Sequence, residues 1–85
     1  MNETQGETVL DARLTHFIAI GDNHGWGKAE TEQGAMANMR KAGGPYKRFF
    51  LYRATTGTYV NDMGGFSRPG ADPEPVKIKE HNPKK

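Results

Sequence analysis

The chain has 85 residues and a mass of 9.4 kDa, which is the size of one small domain. Its apolar fraction is 34% and its net charge is +2, a combination that favours a small folded body over a fully disordered chain. The absence of cysteine excludes disulfides and thiolate chemistry, and no apolar run reaches the length of about 18 residues that a membrane helix needs. The acidic, polar N-terminus does not predict a secretory signal, so we expect a cytoplasmic protein.

Charge and proline content divide the chain into a body and two ends. Residues 1–8 are polar and are expected to be flexible. Residues 68–85 hold four of the five prolines and several lysines, with few large apolar side chains. Because so little apolar surface cannot offset about 1–2 kcal/mol of backbone ordering per residue, we predict a flexible tail there, unless Val76–Ile78 adds a short edge strand. A single α+β domain is predicted over residues 9–67.

The first predicted elements are a strand and a helix. The strand covers Leu14–Ile20 and ends at a glycine-rich turn. The helix has one apolar arc: Ala35, Met36, Met39 and Ala42. If Thr31 is its N-cap, the helix covers about residues 32–42, His24–Ala29 can form a second strand, and the order is β-β-α-β-β. If the helix begins near Lys28, the order is β-α-β-β. We prefer the first because threonine is a good N-cap.

A hairpin is predicted after the helix. Tyr46–Arg53 has the composition of a strand, Thr55–Gly57 that of a turn, and Thr58–Asn61 that of a returning strand. Either element order therefore describes an α+β fold, in which a small antiparallel sheet carries one helix on one face.

Catalytic and metal-binding patterns are not convincing. Gly21–Ala29 has glycines and a lysine before a helix, as phosphate-binding loops do, but five residues rather than four separate Gly21 from Gly27. The only serine, Ser67, lies in no nucleophile motif. Four further polar residues have no metal-ligand spacing: His16, Asp22, His24 and Asp62. We predict a protein that is not an enzyme and has no cofactor and no metal site.

The main functional signal is a stretch without acidic residues. From Gln33 to Asn61 there is no Asp or Glu, and basic residues are interleaved there with tyrosine and phenylalanine. Alternation along the strand Tyr46–Arg53 predicts one face in the core and one face that shows aromatic and guanidinium groups to solvent. Such a surface suits single-stranded nucleic acid, because bases stack on rings for about 1–3 kcal/mol each while Lys and Arg neutralise phosphates. We therefore predict that the protein binds nucleic acid through this basic, aromatic hairpin. The predicted contact residues are Arg40, Lys41, Lys47, Arg48, Tyr52, Arg53 and Tyr59, with Phe50 as a further stacking ring. The alternative is that the aromatic residues form the core, while the lysine and arginine side chains form a solvated rim around it.

Trp26, which lies between two glycines, supports a second hypothesis. Tryptophan is enriched in binding hot spots, so the protein is alternatively an interaction module, an adaptor or inhibitor of the kind that mobile elements encode. The contact would be the Trp26 loop or a sheet edge that adds a partner's strand. A homodimer fits the same hypothesis because the core is thin. Trp26 as a simple core residue is the alternative.

The segment Ala29–Ala35, a strand end followed by a threonine N-cap and a helix, resembles the strand-to-helix segment of HicB-type antitoxins. Small domains of the double-stranded-RNA-binding type share that general shape. The similarity covers a small part of the chain and has the pattern of any capped amphipathic helix, so it transfers no functional residue. The full run of three strands that precedes the helix in that family is missing here, and the sequence is not assigned to it.

Overall fold

The computed structural model describes residues 11–81, which contain one helix and six strands. In chain order they are β1 His16–Gly21, β2 Trp26–Ala29, α1 Glu32–Gly43, β3 Phe49–Ala54, β4 Tyr59–Val60, β5 Phe66–Ser67 and β6 Val76–His81. Four strands form an antiparallel sheet in the order β2-β1-β3-β6, while β4 and β5 pair with each other in a second sheet. The predicted α+β class is confirmed.

The helix begins where its N-cap signal predicts. Thr31 has an extended backbone, and its side-chain oxygen accepts a hydrogen bond from the Gly34 N–H at 3.0 Å. Gly44 ends the helix with a φ of 79°, a conformation that favours glycine, and its N–H donates to the Arg40 carbonyl. Because the helix begins only at Glu32, the residues before it are free to form β2. The preferred β-β-α-β start of the chain is confirmed.

One face of the main sheet packs against α1. The buried cluster between them consists of Ala19, Ala35, Met39 and Leu51. The helix lies very close to β2, since a Cβ atom added to Gly27 would be 2.3 Å from the Met39 nitrogen. A Cβ added to Gly25 would likewise be 2.6 Å from the Gly43 nitrogen. Glycine at these two positions therefore allows the helix backbone to contact the sheet directly.

The other face of the main sheet is also covered. Side chains alternate along a strand, so Ile18 and Tyr52 lie on the face opposite the helix. Ile18 is fully buried, and the Tyr52 ring contacts Phe66 of β5 edge-on, with 4.8 Å between centroids. The Lys28 ammonium donates to the carbonyls of Thr56 and Thr58, at 2.7 Å for the latter. The segment over residues 55–68 thus forms a third layer.

The predicted hairpin of Tyr46–Asn61 is wrong. β4 does not pair with β3; Tyr59 instead pairs with Ser67 and Val60 with Phe66. Both sides of β3 are occupied, by β1 and by β6. The buried hydroxyls of Thr55 and Thr58 bond to each other at 2.7 Å, and Lys28 binds the carbonyls of the same turn. These bonds hold the turn against the sheet face instead of letting it return in the plane of the sheet.

The prediction of a flexible tail from residue 68 is wrong for Val76–His81. This segment pairs with β3 as an edge strand, the exception that the sequence left open, and the domain extends to residue 81. Side-chain contacts offset its low apolar content: Lys77 lies 5.5 Å from the Phe50 ring centroid, and His81 stacks on Phe49. The predictions for residues 1–8 and 82–85 lie outside the described residues.

Replacement of Lys28 tests how the third layer is held. Burial lowers the pKa of Lys28, and its ammonium donates hydrogen bonds to the Thr56 and Thr58 carbonyls. We expect Lys28→Met to lower the free energy of unfolding by about 2 kcal/mol, because two carbonyls lose a charged donor. Urea unfolding followed by circular dichroism measures this. Lys47→Met, at an exposed site without a side-chain partner in residues 11–81, should change it by less than about 0.5 kcal/mol. Equal effects of the two changes would contradict the role given to Lys28.

Candidate nucleic-acid interface

Most basic side chains of the described residues are bound by groups of the protein itself. Lysine and arginine form ion pairs with acids in four places: Arg13 with Asp11, Arg68 with Glu74, Lys77 with Glu80, and Lys79 with Glu32. Lys28 is bound by loop carbonyls, and Arg53 donates twice to the Leu14 carbonyl. Within residues 11–81, four remain without an ion pair or a side-chain hydrogen bond: Arg40, Lys41, Lys47 and Arg48.

These four residues lie at one end of the molecule, which we call the cationic end. Arg40 and Lys41 occupy the last turn of α1, where a positive charge also interacts favourably with the helix dipole. Lys47 and Arg48 immediately precede β3. All four are exposed.

The turn between β1 and β2 joins the two segments that carry the cationic end, which are the end of α1 and the residues just before β3. The Asn23 amide donates to the Gly44 carbonyl at 2.6 Å, which fixes the end of the helix. The Asp22 carboxylate accepts from the Lys47 N–H at 3.0 Å, and the Asp22 N–H donates to the Arg48 carbonyl at 3.1 Å. The sequence analysis considered Asp22 among possible metal ligands and within the turn that follows the first strand, but not as an acceptor for the Lys47 N–H. The relevant signal was the Asp-Asn pair in a glycine-rich turn, since both side chains readily bind nearby backbone groups.

Asp22 is the acidic group built into this end. The backbone N–H of Lys47 lowers the pKa of Asp22, and the nearby Arg48 charge acts in the same direction. Asp22 is therefore ionised at neutral pH. It accepts from backbone N–H groups and forms no ion pair with the four bases in the described residues, so it reduces the local positive charge without binding their side chains.

A groove of about 400 Å³ lies beside the cationic end. We call it the Tyr46 groove; its lining residues are Asp22, Asn23, Pro45, Tyr46 and Lys47. Tyr46 is half-buried and contacts Phe49 edge-on, with 5.8 Å between ring centroids. Phe49 in turn stacks on His81. Phe49 and His81 therefore support the Tyr46 ring, which precedes Lys47 and Arg48 in the chain.

The other predicted contact residues do not join this end. Tyr52 is half-buried against Phe66, and Tyr59 is 51% exposed on the separate sheet. Arg53 lies at the far end of β3, where its guanidinium binds the Leu14 carbonyl and lies 4.8 Å from the Phe17 ring centroid. The prediction assumed that one face of β3 was open, whereas both faces are covered. The structure therefore brings together four of the seven residues.

Trp26 is neither a fully buried core residue nor a fully exposed one. It is half-buried and lines a second groove of about 390 Å³ with Ile20 and Val60. The sheet edges named in the interaction hypothesis carry features that discourage strand addition. β6 has a bulge opposite Leu51 and Tyr52 and carries two lysines, and the Asn38 amide covers the Lys28 carbonyl of β2 at 3.0 Å.

Within residues 11–81, no three metal-binding side chains cluster, and no helix has the length and apolar character to cross a membrane. His16 instead forms a contact of 3.8 Å with the exposed Glu30 carboxylate. Comparison of the chain with protein-family models, with curated proteins and with solved structures finds no match.

Proposed function

We propose that the protein is a small, non-enzymatic nucleic-acid-binding module that contacts phosphates through the cationic end. The observation that supports this proposal is the placement of its unpaired bases. Among the described residues, the other lysines and arginines are bound by acids or carbonyls. Arg40, Lys41, Lys47 and Arg48 are exposed and lie on the two segments that the β1–β2 turn joins. An exposed cation without an internal partner can bind phosphate without first breaking another contact.

Phosphate binding by this end has a defined salt dependence. Each neutralised phosphate releases counterions, which gives a slope of about −0.7 in the logarithm of affinity against the logarithm of salt for a single strand. Four contacts therefore predict a slope of about −3. Between about 50 and 200 mM salt, the affinity should fall about 50-fold. The interaction is expected to be weak at physiological salt, because four contacts are few.

A charge-matched pair of variants tests the proposal. The first variant changes the four residues of the cationic end to glutamine. The control changes four bases that are held in ion pairs: Arg13, Arg68, Lys77 and Lys79. Both lose the same net charge, so a general electrostatic attraction would weaken both equally. We expect only the first to lose binding to a labelled oligonucleotide at low salt, as measured by fluorescence anisotropy, and any binding that remains to have a salt slope smaller by about 3.

Three results would contradict the proposal. They are equal loss of binding in the two variants, binding that does not weaken with salt, and no binding by the wild type at low salt. Circular dichroism of each variant shows whether the fold is retained. The ion pairs of Arg13, Lys77 and Lys79 are exposed and contribute little to stability. Arg68 is half-buried and also donates to the Asp72 carbonyl, so the control is the variant whose fold this measurement has to verify.

An interaction module remains the second candidate, and the half-buried position of Trp26 in its groove favours it. Its partner would be a protein that inserts a side chain between Trp26 and Val60, or a second copy of this chain. Capture of a partner by the wild type should then be lost in Trp26→Ala and retained in Arg48→Ala. Loss in Arg48→Ala alone would instead favour the cationic end as the contact.

A further inference from the structure

The Tyr46 groove continues directly from the cationic end, because Lys47 belongs to both. A phosphate bound by Lys47 or Arg48 would place the rest of its nucleotide at the groove. The volume of about 400 Å³ is at the lower end of the range of roughly 300–1,000 Å³ that small-molecule clefts occupy. The groove is therefore large enough for a single planar ring system. The inference below rests on the proposed function.

The groove is lined by one acidic side chain, Asp22, and by one basic side chain, Lys47, which also belongs to the cationic end. The ionised Asp22 carboxylate would repel a phosphate, whereas Lys47 would attract it. A phosphate held by Lys47 and Arg48 would thus lie away from Asp22, and the uncharged part of the nucleotide would enter the groove. One Asp22 oxygen accepts from the Lys47 N–H at 3.0 Å, but a carboxylate has about four lone-pair sites, so acceptors remain for a ligand.

The neighbouring side chains add packing rather than competing acceptors. The Asn23 amide group donates to the Gly44 carbonyl and its oxygen accepts from the Gly25 N–H, so this side chain is already engaged. Pro45 and Tyr46 supply ring surface, and the Tyr46 ring is supported by Phe49. Rings of this kind pack against the faces of unstacked bases.

We propose that the Tyr46 groove takes one unstacked base of a single strand, and that Asp22 selects guanine there. The Watson–Crick edge of guanine presents two adjacent N–H donors, which match the two oxygens of a carboxylate. Thymine and uracil present one N–H between two carbonyl oxygens, which a carboxylate repels. Adenine and cytosine present an amino group beside an acceptor nitrogen. Because base pairing hides these edges in a duplex, the groove reads single strands only.

The decisive measurement uses the wild-type protein and three labelled DNA probes. The first is a thymine tract, the second is the same tract with one central guanine, and the third is a duplex of equal length. A good bidentate contact discriminates by about 1–3 kcal/mol, or roughly 5- to 150-fold, and the exposed position of Asp22 favours the low end. We expect the guanine probe to bind about fivefold more tightly than the thymine tract, with the duplex weaker than both single strands.

Two variants identify the groove as the source of this preference. Asp22→Asn removes the charge but keeps a side-chain oxygen that can accept from the Lys47 N–H. It should therefore abolish the preference for guanine, while binding to the thymine tract stays the same or increases. A merely structural role of Asp22 would instead reduce binding to every probe equally. Tyr46→Leu should weaken binding to both single strands and leave the duplex unchanged.

The outcomes separate this inference from the proposed function. Salt-dependent binding that is lost in the four-glutamine variant, but is equal for the guanine and thymine probes, overturns the inference and leaves the proposed function intact. Duplex binding as tight as single-strand binding also overturns it. The comparison of the guanine, thymine and duplex probes on the wild-type protein tests the inference even if a variant fails to fold. Circular dichroism would show such a failure. The absence of salt-dependent binding to any probe contradicts the proposed function itself.

Discussion

The Gly27→Ala variant is expected to unfold at denaturant concentrations far below those needed for the wild type. An added Cβ would lie 2.3 Å from the Met39 nitrogen and 2.5 Å from the Ala35 oxygen. These are backbone atoms of α1, so no side-chain rotation relieves the clash, and the helix must move away from β2. Overpacking usually costs about 1–3 kcal/mol. Because the helix backbone must move, we expect the free energy of unfolding to fall by about 3 kcal/mol or more, which is a large part of the stability of a small domain.

Gly70→Ala is the matched control for this prediction. A Cβ at Gly70 would meet no atom within 4 Å, and its φ is not positive. The change should be neutral or should stabilise the protein by up to about 1 kcal/mol, because it restricts the unfolded chain. Urea unfolding, followed by Trp26 fluorescence and by circular dichroism, measures both variants. Equal midpoints for the two would show that the helix does not contact β2 as closely as the structure has it.

The first half of the fold was predictable because its signals are local. The Thr31 side chain caps the helix through a residue only three positions away. The glycine-rich turn after β1 is also closed by local bonds, since the Gly21 N–H donates to the Gly25 carbonyl and the Gly25 N–H donates to the Asn23 side chain. Helix caps and tight turns depend on residues that are close in the sequence, so a sequence pattern can predict them.

The second half was not predictable in the same way. The turn at Thr55–Gly57 was recognised, but its direction depends on Lys28, which binds it from another strand. The edge strand β6 depends on Phe49 and Phe50, far earlier in the chain, for the contacts that stabilise it. A composition rule that counts apolar residues in Val76–His81 alone cannot include these contacts, so it predicted a tail.

The candidate site shows the same division. The acid-free stretch correctly drew attention to exposed bases, because charge composition is visible in the sequence. Alternation along β3 then predicted one open face, but a strand covered on both faces also alternates. Arg53 is consequently bound inside the fold, and the free bases come from the helix end and the loop before β3. The contribution of Asp22 required the tertiary contact to Lys47.

The Met39→Ala variant should lose about 3 kcal/mol of stability. Met39 is fully buried in the cluster between α1 and the sheet, with Ala19 and Leu51 as neighbours. Truncation of a buried methionine costs about 2–5 kcal/mol, and the two alanines of the cluster have no flexible side chains with which to fill the space. Met39 also lies beneath Gly21, where the turn that supports the cationic end begins. The cavity therefore opens at the junction of the helix, the sheet and that turn.

Met63→Ala is the control, because Met63 is 93% exposed and its truncation should change the stability by less than about 0.5 kcal/mol. Urea unfolding of both variants and of the wild type gives the difference, with an unchanged slope as the sign that only stability is altered. A loss below about 1 kcal/mol for Met39→Ala would contradict the view that this one cluster stabilises the helix on the sheet. Since the cationic end is exposed, the folded fraction of Met39→Ala should still bind oligonucleotides with the same salt dependence. A steep loss of binding in the folded variant would mean that the cationic end depends on the packing of Met39 as well as on the bonds of Asp22 and Asn23.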